Sequence, residues 1–123
     1  MVEVNYNESE GIVYVKMNGK FGVHDMLASA ENVGQLSHLT KNLKILEDAK
    51  NVIIDFQVSD IPLLMKNFGK NIEVYDSVRH AVIHSGPEGT AYTMLAAHLN
   101  ELKKYSIMVF STEEAAKTWL NLI

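Results

Sequence analysis

The sequence predicts an α/β domain built on a single mixed, mostly parallel β-sheet of about five strands with about four helices packed on it. Three observations carry that prediction. The apolar runs Asn51–Phe56, Val78–His84 and Ser106–Phe110 have the length and β-branched or aromatic content of buried strands. Segments with apolar residues at helical spacing alternate with them, which implies parallel strands joined by right-handed crossovers. The chain opens on two further strand-like runs, Val2–Tyr6 and Ile12–Met17, divided by the turn formers of Asn7–Gly11, so an antiparallel hairpin is expected at the N-terminus.

Taken in order, Asn18-Gly19-Lys20-Phe21-Gly22 follows the hairpin as a loop with two glycines, where the chain turns away from the sheet. Asp25 is the expected cap of a first helix whose buried face is Met26, Ala30, Val33 and Leu36 or Ser37. Thr40–Lys50 reads as helix or loop, since Leu43 and Leu46 fit an extension of that helix after a break. Asn51–Phe56 then reads as a strand covered on both faces.

Ser59 and Asp60 are helix-start residues, and Pro62 in the first turn costs no hydrogen bond there. Ile61, Met65, Phe68, Ile72 and Tyr75 give a second helix broken or ended at Gly69. After the strand Val78–His84, Ser85–Glu88 spells a capping box ahead of a third helix with Ala91 or Tyr92, Leu95, Leu99 and Leu102 facing inward. A second box, Ser111–Glu114, follows the strand Ser106–Phe110 and opens a last helix with Ala115, Ala116, Trp119 and Leu120 inward.

Composition narrows the function classes. At 123 residues and 47% hydrophobic, the chain suits one domain, residues 1–123, with enough core to fold without staples. The net charge is -4 and the basic residues are scattered, only Lys103 and Lys104 being adjacent, which argues against a nucleic-acid partner. The absence of cysteine removes disulfides, thiolate zinc sites and cysteine nucleophiles, and fits a reducing, cytoplasmic setting. No stretch reaches the ~20 apolar residues of a membrane span, and the start MVEVNYNESEG lacks the features of a signal peptide.

The element order, the strands NVIIDF and RHAVIHSG, and above all the ending IMVFSTEEAAKTWL make the chain resemble the STAS family of anti-sigma-factor antagonist-like domains. It is most similar to the stand-alone bacterial branch that is compared with lipid-binding CRAL-TRIO domains. The resemblance covers nearly the whole chain from Gly11, and its sharpest residues are Val109-Phe110, Glu113-Glu114-Ala115 and Trp119-Leu120. It implies a non-catalytic, STAS-like module used for regulation, protein interaction or ligand binding, commonly as a homodimer. The antagonists carry a phosphorylated serine in an Asp-Ser-Ser-Gly run after the strand that corresponds to Val52–Phe56. This chain has Phe56-Gln57-Val58-Ser59-Asp60-Ile61-Pro62 there, without the glycine. Ser59 is the remaining phosphorylation candidate and reads more simply as a helix cap.

The best binding candidate is the loop after the strand Val78–His84, with His84, Ser85, Gly86, Gly89 and Thr90 as contact residues. Ligands of open α/β sheets bind at the carboxyl ends of strands, and a helix N-terminus offers free N–H groups to a polar or anionic group. The same residues also make an ordinary turn and cap, with Glu88 already placing a negative charge at that end.

No metal or other cofactor is specified. His80 and His84 share a strand face, but their α-carbons would stand ~13 Å apart; His98, on the following helix, could approach one of them, yet no carboxylate or second His sits at ligand spacing beside it. A Ser-His-Asp set drawn from Ser85, His84 or His24, and Asp55 or Asp60 lacks the nucleophile-elbow glycines. Met17, Met26, Met65, Met94 and Met108, with Phe21, Phe68, Tyr75, Tyr92 and Trp119, fill a core or border a cleft. A pocket beneath the Ile61–Tyr75 helix would mean a carrier of a small apolar ligand; an exposed apolar patch there would mean a partner surface. The reading is a regulatory or ligand-binding module without catalysis, with an apolar-ligand carrier as the alternative and an enzyme third.

Overall fold

The N-terminal hairpin forms as its alternation requires: β1 (Val2–Asn7) pairs antiparallel with β2 (Ile12–Phe21), Val2 opposite Met17 and Asn7 opposite Ile12. The structure is a computed structural model that describes residues 1–122. β2 does not stop at Met17. It runs through the expected loop, because Asn18 to Phe21 pair with Asn51 to Ile54 of the next strand. Gly19 sits there at φ 99°, a conformation that costs an L-residue about 1–2 kcal/mol. Nothing lies within 4 Å of a Cβ built on it, so Gly19→Ala should lower unfolding stability by that backbone cost alone. An unchanged urea midpoint would show that this stretch relaxes freely.

α1 (Val23–Gly34) buries Ala30 and Val33. Asp25 is not its cap but its third residue, and its carboxylate accepts the Gly22 N–H at 2.8 Å. The largest departure from expectation follows. Thr40–Lys50 contributes neither helix nor loop but most of β3 (Asn42–Ile54), the central strand of the sheet. Leu43 and Ile45 are buried toward one face and Leu46 toward the other. The doubly covered stretch of β3 is therefore Leu43–Leu46, whereas Ile53, beyond the reach of β4, is 62% exposed. Between Lys16 and Asn18, two steps on β2 are matched by three on β3, from Asp48 to Asn51. That bulge exchanges the faces of β3: Glu47 and Ala49 before it and Val52 and Ile54 after it line the same space.

A short 3₁₀ turn, Val58–Asp60, leads into α2 (Ile61–Asn71). Ser59 is exposed and caps no helix; its hydroxyl reaches only the Gln57 side chain at 3.4 Å, while Asp60 accepts the Gln57 N–H at 2.8 Å. α2 passes Gly69 unbroken. Past its end, the Lys104 ammonium donates to the carbonyls of Ile72, Glu73 and Tyr75 at 2.9–3.1 Å, satisfying acceptors of the turn that follows the helix.

β4 (Ser77–Ile83), α3 (Pro87–Leu99), β5 (Tyr105–Phe110) and α4 (Glu113–Leu120) complete the chain. The sheet order is β1-β2-β3-β4-β5, with β2 to β5 parallel. Neither capping box forms as read. Gly86 caps α3 without a side-chain bond, and Thr112, not Ser111, caps α4 by accepting the Ala115 N–H at 3.2 Å. α3 buries Gly89 and Thr93 instead of a leucine stripe, leaving Leu99 and Leu102 exposed. In α4, Ala116 and Leu120 are buried and Ala115 is exposed.

Each parallel strand is added on the same side of the one before, and crossovers of one hand then place their helices on one face. Accordingly α1, α2 and α3 share a face with Val13, Val15, Ile45, Val78 and Tyr105, while α4 alone covers Ile12, Leu46, Ala81 and Ile83 opposite. Lys117 ties α4 to the hairpin through Glu10, 2.7 Å away.

Candidate functional site

β4 and the residue just past it turn His80, Val82 and His84 toward the three-helix face, and β3 brings Glu47 directly opposite Val82 in register. Glu47 therefore lies between the two histidines on the neighbouring strand. Above them α2 packs against α1 and α3, and the space beneath it is a cavity of about 130 Å³. Its walls are largely apolar: Met26 and Ala30 of α1, Ile61, Leu64, Met65 and Phe68 of α2, and Tyr92, Thr93 and Ala96 of α3. Phe56 and Tyr92 meet at 5.6 Å between ring centroids on this boundary.

The floor carries a chain of buried polar groups. His80 Nε2 lies 2.9 Å from Glu47 Oε1, and His80 Nδ1 lies 2.9 Å from the Tyr105 hydroxyl. An ionised Glu47 only accepts, so Nε2 carries the proton toward it, and in the neutral ring Nδ1 accepts from Tyr105. Phe68 stacks on His80 at 5.6 Å and contacts Tyr105 at 5.0 Å, covering those two members of the chain from above. Burial, reinforced by the Glu47 charge, holds the Tyr105 hydroxyl well above the usual tyrosine range and keeps it a neutral donor.

His84 closes one end of the cavity. Its ring lies against the α-carbon of Gly89: a Cβ built there would stand 2.2 Å from Nδ1. The absent side chain lets α3 start over the imidazole. Burial pushes the His84 pKa below 6.5, partly opposed by the charges of Glu47 and Asp48. The unfolded chain then binds the proton more readily than the folded one, so stability falls as pH drops through 6.5 toward the folded value. Urea midpoints across this range should fall more steeply for wild type than for His84→Gln; parallel profiles would show that His84 titrates alike in both states.

Of the residues expected at the loop, the structure brings His84 into the cavity, with Gly89 packed behind its ring. Ser85 is exposed, Gly86 serves as the α3 cap, and the Thr90 hydroxyl is spent on the Gly86 carbonyl at 2.9 Å. Met17, Met26, Met65, Phe68 and Tyr92 do border a cleft; Phe21 and Tyr75 fill the core, Met94 and Met108 are exposed, and Trp119 packs on the other face. Glu47 and Tyr105 were not singled out from the sequence. Reading Leu43-Lys44-Ile45-Leu46-Glu47-Asp48-Ala49 as a strand would have set Leu43, Ile45, Glu47 and Ala49 on one face and shown an acid among core residues. Among the described residues no three metal-ligating side chains converge, and no helix is long and apolar enough to cross a membrane.

Among known proteins, no family model and no curated sequence matches the chain. Solved structures do. An uncharacterised protein of the DUF3478 family with a SpoIIAA-like fold, from Shewanella loihica PV-4, is 16% identical, with a TM-score of 0.64 over 98% of this chain and 92% of its own. The anti-sigma factor antagonist SpoIIAA in its unphosphorylated form is 11% identical, with a TM-score of 0.59 over the full length of both chains. The Bacillus cell fate determinant SpoIIAA in its phosphorylated form is 12% identical, with a TM-score of 0.57 over 98% of this chain and 100% of its own. At these identities the likeness is one of fold: the chain has the SpoIIAA-like α/β fold, as the STAS resemblance implies.

Proposed function

We propose that this chain is a non-catalytic, STAS-like ligand-binding module that takes up a small, largely apolar molecule in the cavity beneath α2. The cavity itself is the observation that carries the reading. Its volume of about 130 Å³ is comparable to an engineered apolar cavity of about 150 Å³ that binds benzene or xenon, although this one is partly open to solvent. Three methionines on its walls suit irregular apolar occupants. His84 and Gly89 belong to this site; the cysteine-free composition supports a cytoplasmic setting.

Methyl NMR with added benzene or xenon tests the reading directly. The methyl signals of Met17, Met26 and Met65 should shift in a saturable way, while those of exposed Met94 and Met108 stay in place. Unmoved cavity methyls at saturating gas or ligand would refute it. Native mass spectrometry of the protein from its host would show a retained ligand and the homodimer that belongs to the same reading.

One observation favours a protein partner as well. Ile53, Val58 and Leu63 are each at least half exposed along the end of β3, the 3₁₀ turn and the start of α2. Large apolar side chains concentrated in one segment suit a contact surface. Charged replacements at Val58 and Leu63 would abolish such a contact and leave benzene uptake intact.

A further inference from the structure

The polar groups on the cavity wall differ in what they leave free. Both nitrogens of His80 are engaged, the Tyr105 hydroxyl is engaged by His80, and the Thr93 hydroxyl donates to the Gly89 carbonyl at 2.8 Å. Glu47 spends only Oε1, on His80; Oε2 has no hydrogen-bond partner among the described residues, and the Glu47 side chain is 15% exposed. Glu47 is one of the lining residues, so that accessible fraction borders the cavity. No lysine or arginine lines the space, and burial holds the lining His84 below its ordinary pKa, so it adds no cation there at neutral pH. The field inside is negative, and the free capacity at Glu47 is that of an acceptor.

Resting on the ligand-binding reading above, we infer that the ligand is a small amphiphile with a hydrogen-bond-donating, cationic head, an alkyl or aryl ammonium, held by Glu47 Oε2 with its apolar part against Met65 and Phe68. A carboxylate amphiphile of equal length binds more weakly. Its head would meet Glu47 without a cation to pair with, at a separation where like charges repel even at the higher effective dielectric of a half-open site. An uncharged alcohol keeps the donor and loses the charge attraction, so it binds between the two.

The test uses three probes with one body, pentylamine, pentanol and pentanoate, titrated into the intact protein at neutral pH and followed by the methyl signals of Met17, Met26 and Met65. Pentylamine should bind at least about tenfold more tightly than pentanoate, a modest requirement for a close charge pair. In Glu47→Gln that preference should shrink to less than about twofold while pentanol binding persists. Should Glu47→Gln fail to fold, the wild-type Glu47 carboxyl carbon, followed by NMR against pH, supplies the second reading: saturating pentylamine should lower its titration midpoint and pentanol should leave it in place. Equal binding of amine and carboxylate, or a preference that survives in Glu47→Gln, overturns the inference and leaves the apolar-ligand reading standing. Failure of all three probes and of xenon overturns both.

Discussion

Gly89→Ala will destabilise the protein by about 2 kcal/mol, because the added methyl is driven into the His84 ring. Its Cβ would stand 2.2, 2.5 and 2.6 Å from three imidazole atoms. Overpacking of that kind costs typically about 1–3 kcal/mol, here at the upper end, while alanine recovers about 1 kcal/mol through its helix propensity. The expected fall in Tm is on the order of 5–10 °C for a domain of this size. The decisive comparison is in the background of His84→Ala. With the ring gone, only the propensity gain is left, and Gly89→Ala should become stabilising by up to about 1 kcal/mol. A penalty of the same size in both backgrounds would mean that the methyl collides with something other than His84.

His80→Leu should cost about 2–4 kcal/mol, because it leaves two groups unpaired at once and each such loss costs about 1–3 kcal/mol. Leucine fills much of the ring's volume, so the loss comes from what the substitution leaves behind. Glu47 loses the N–H at 2.9 Å, and the buried Tyr105 hydroxyl loses its acceptor. Tyr105→Phe alone should cost about 1–3 kcal/mol by leaving His80 Nδ1 unpaired. The double variant should cost less than the two single losses together, since Tyr105→Phe then removes a donor already orphaned. Chemical denaturation of the four proteins gives the coupling. A His80→Leu protein within about 1 kcal/mol of wild type would show that the chain of bonds contributes little in solution.

The elements legible in the sequence are those whose signal is local. Val78–Ile83 and Tyr105–Phe110 are short apolar runs, and no other element of that length is so uniformly apolar. The hairpin is legible from alternation, and α4 from Ala116, Trp119 and Leu120 at helical spacing. β3 failed for the opposite reason. Leu43 and Leu46 stand three apart, which mimics a helix face, but in the structure they point to opposite faces of a strand with three helices on one side and α4 on the other. Lys44, Glu47 and Asp48 add charges that an isolated strand would not be expected to bury. Tertiary context overrode local pattern, because only a strand between β2 and β4 satisfies the backbone of both neighbours.

The candidate site divides in the same way. His84 was legible, since it ends an apolar strand just before a turn and helix. Ser85 and Glu88 looked like a capping box, but the helix takes Gly86 as its cap and starts at Pro87. That is a choice between overlapping start signals, settled by how closely α3 must approach the His84 ring at Gly89. Glu47 was illegible, since a lone acid between Leu46 and Asp48 reads as a solvated surface charge.

By itself, then, the sequence determined the α/β class, the antiparallel start, the parallel remainder and the absence of cysteine chemistry, because composition and hydrophobic period act over a few neighbouring residues. The tertiary structure alone decided that β3 runs through the centre, that its bulge turns Val52 and Ile54 toward the same space as Glu47, and that α2 leaves a cavity above a His80–Glu47–Tyr105 chain. Those features depend on strand register and helix height. Register joins residues 33 and 25 positions apart, Glu47 with His80 and His80 with Tyr105, and helix height rests on Phe68 of α2 against His80 and Tyr105; no local pattern in the chain carries information over such distances.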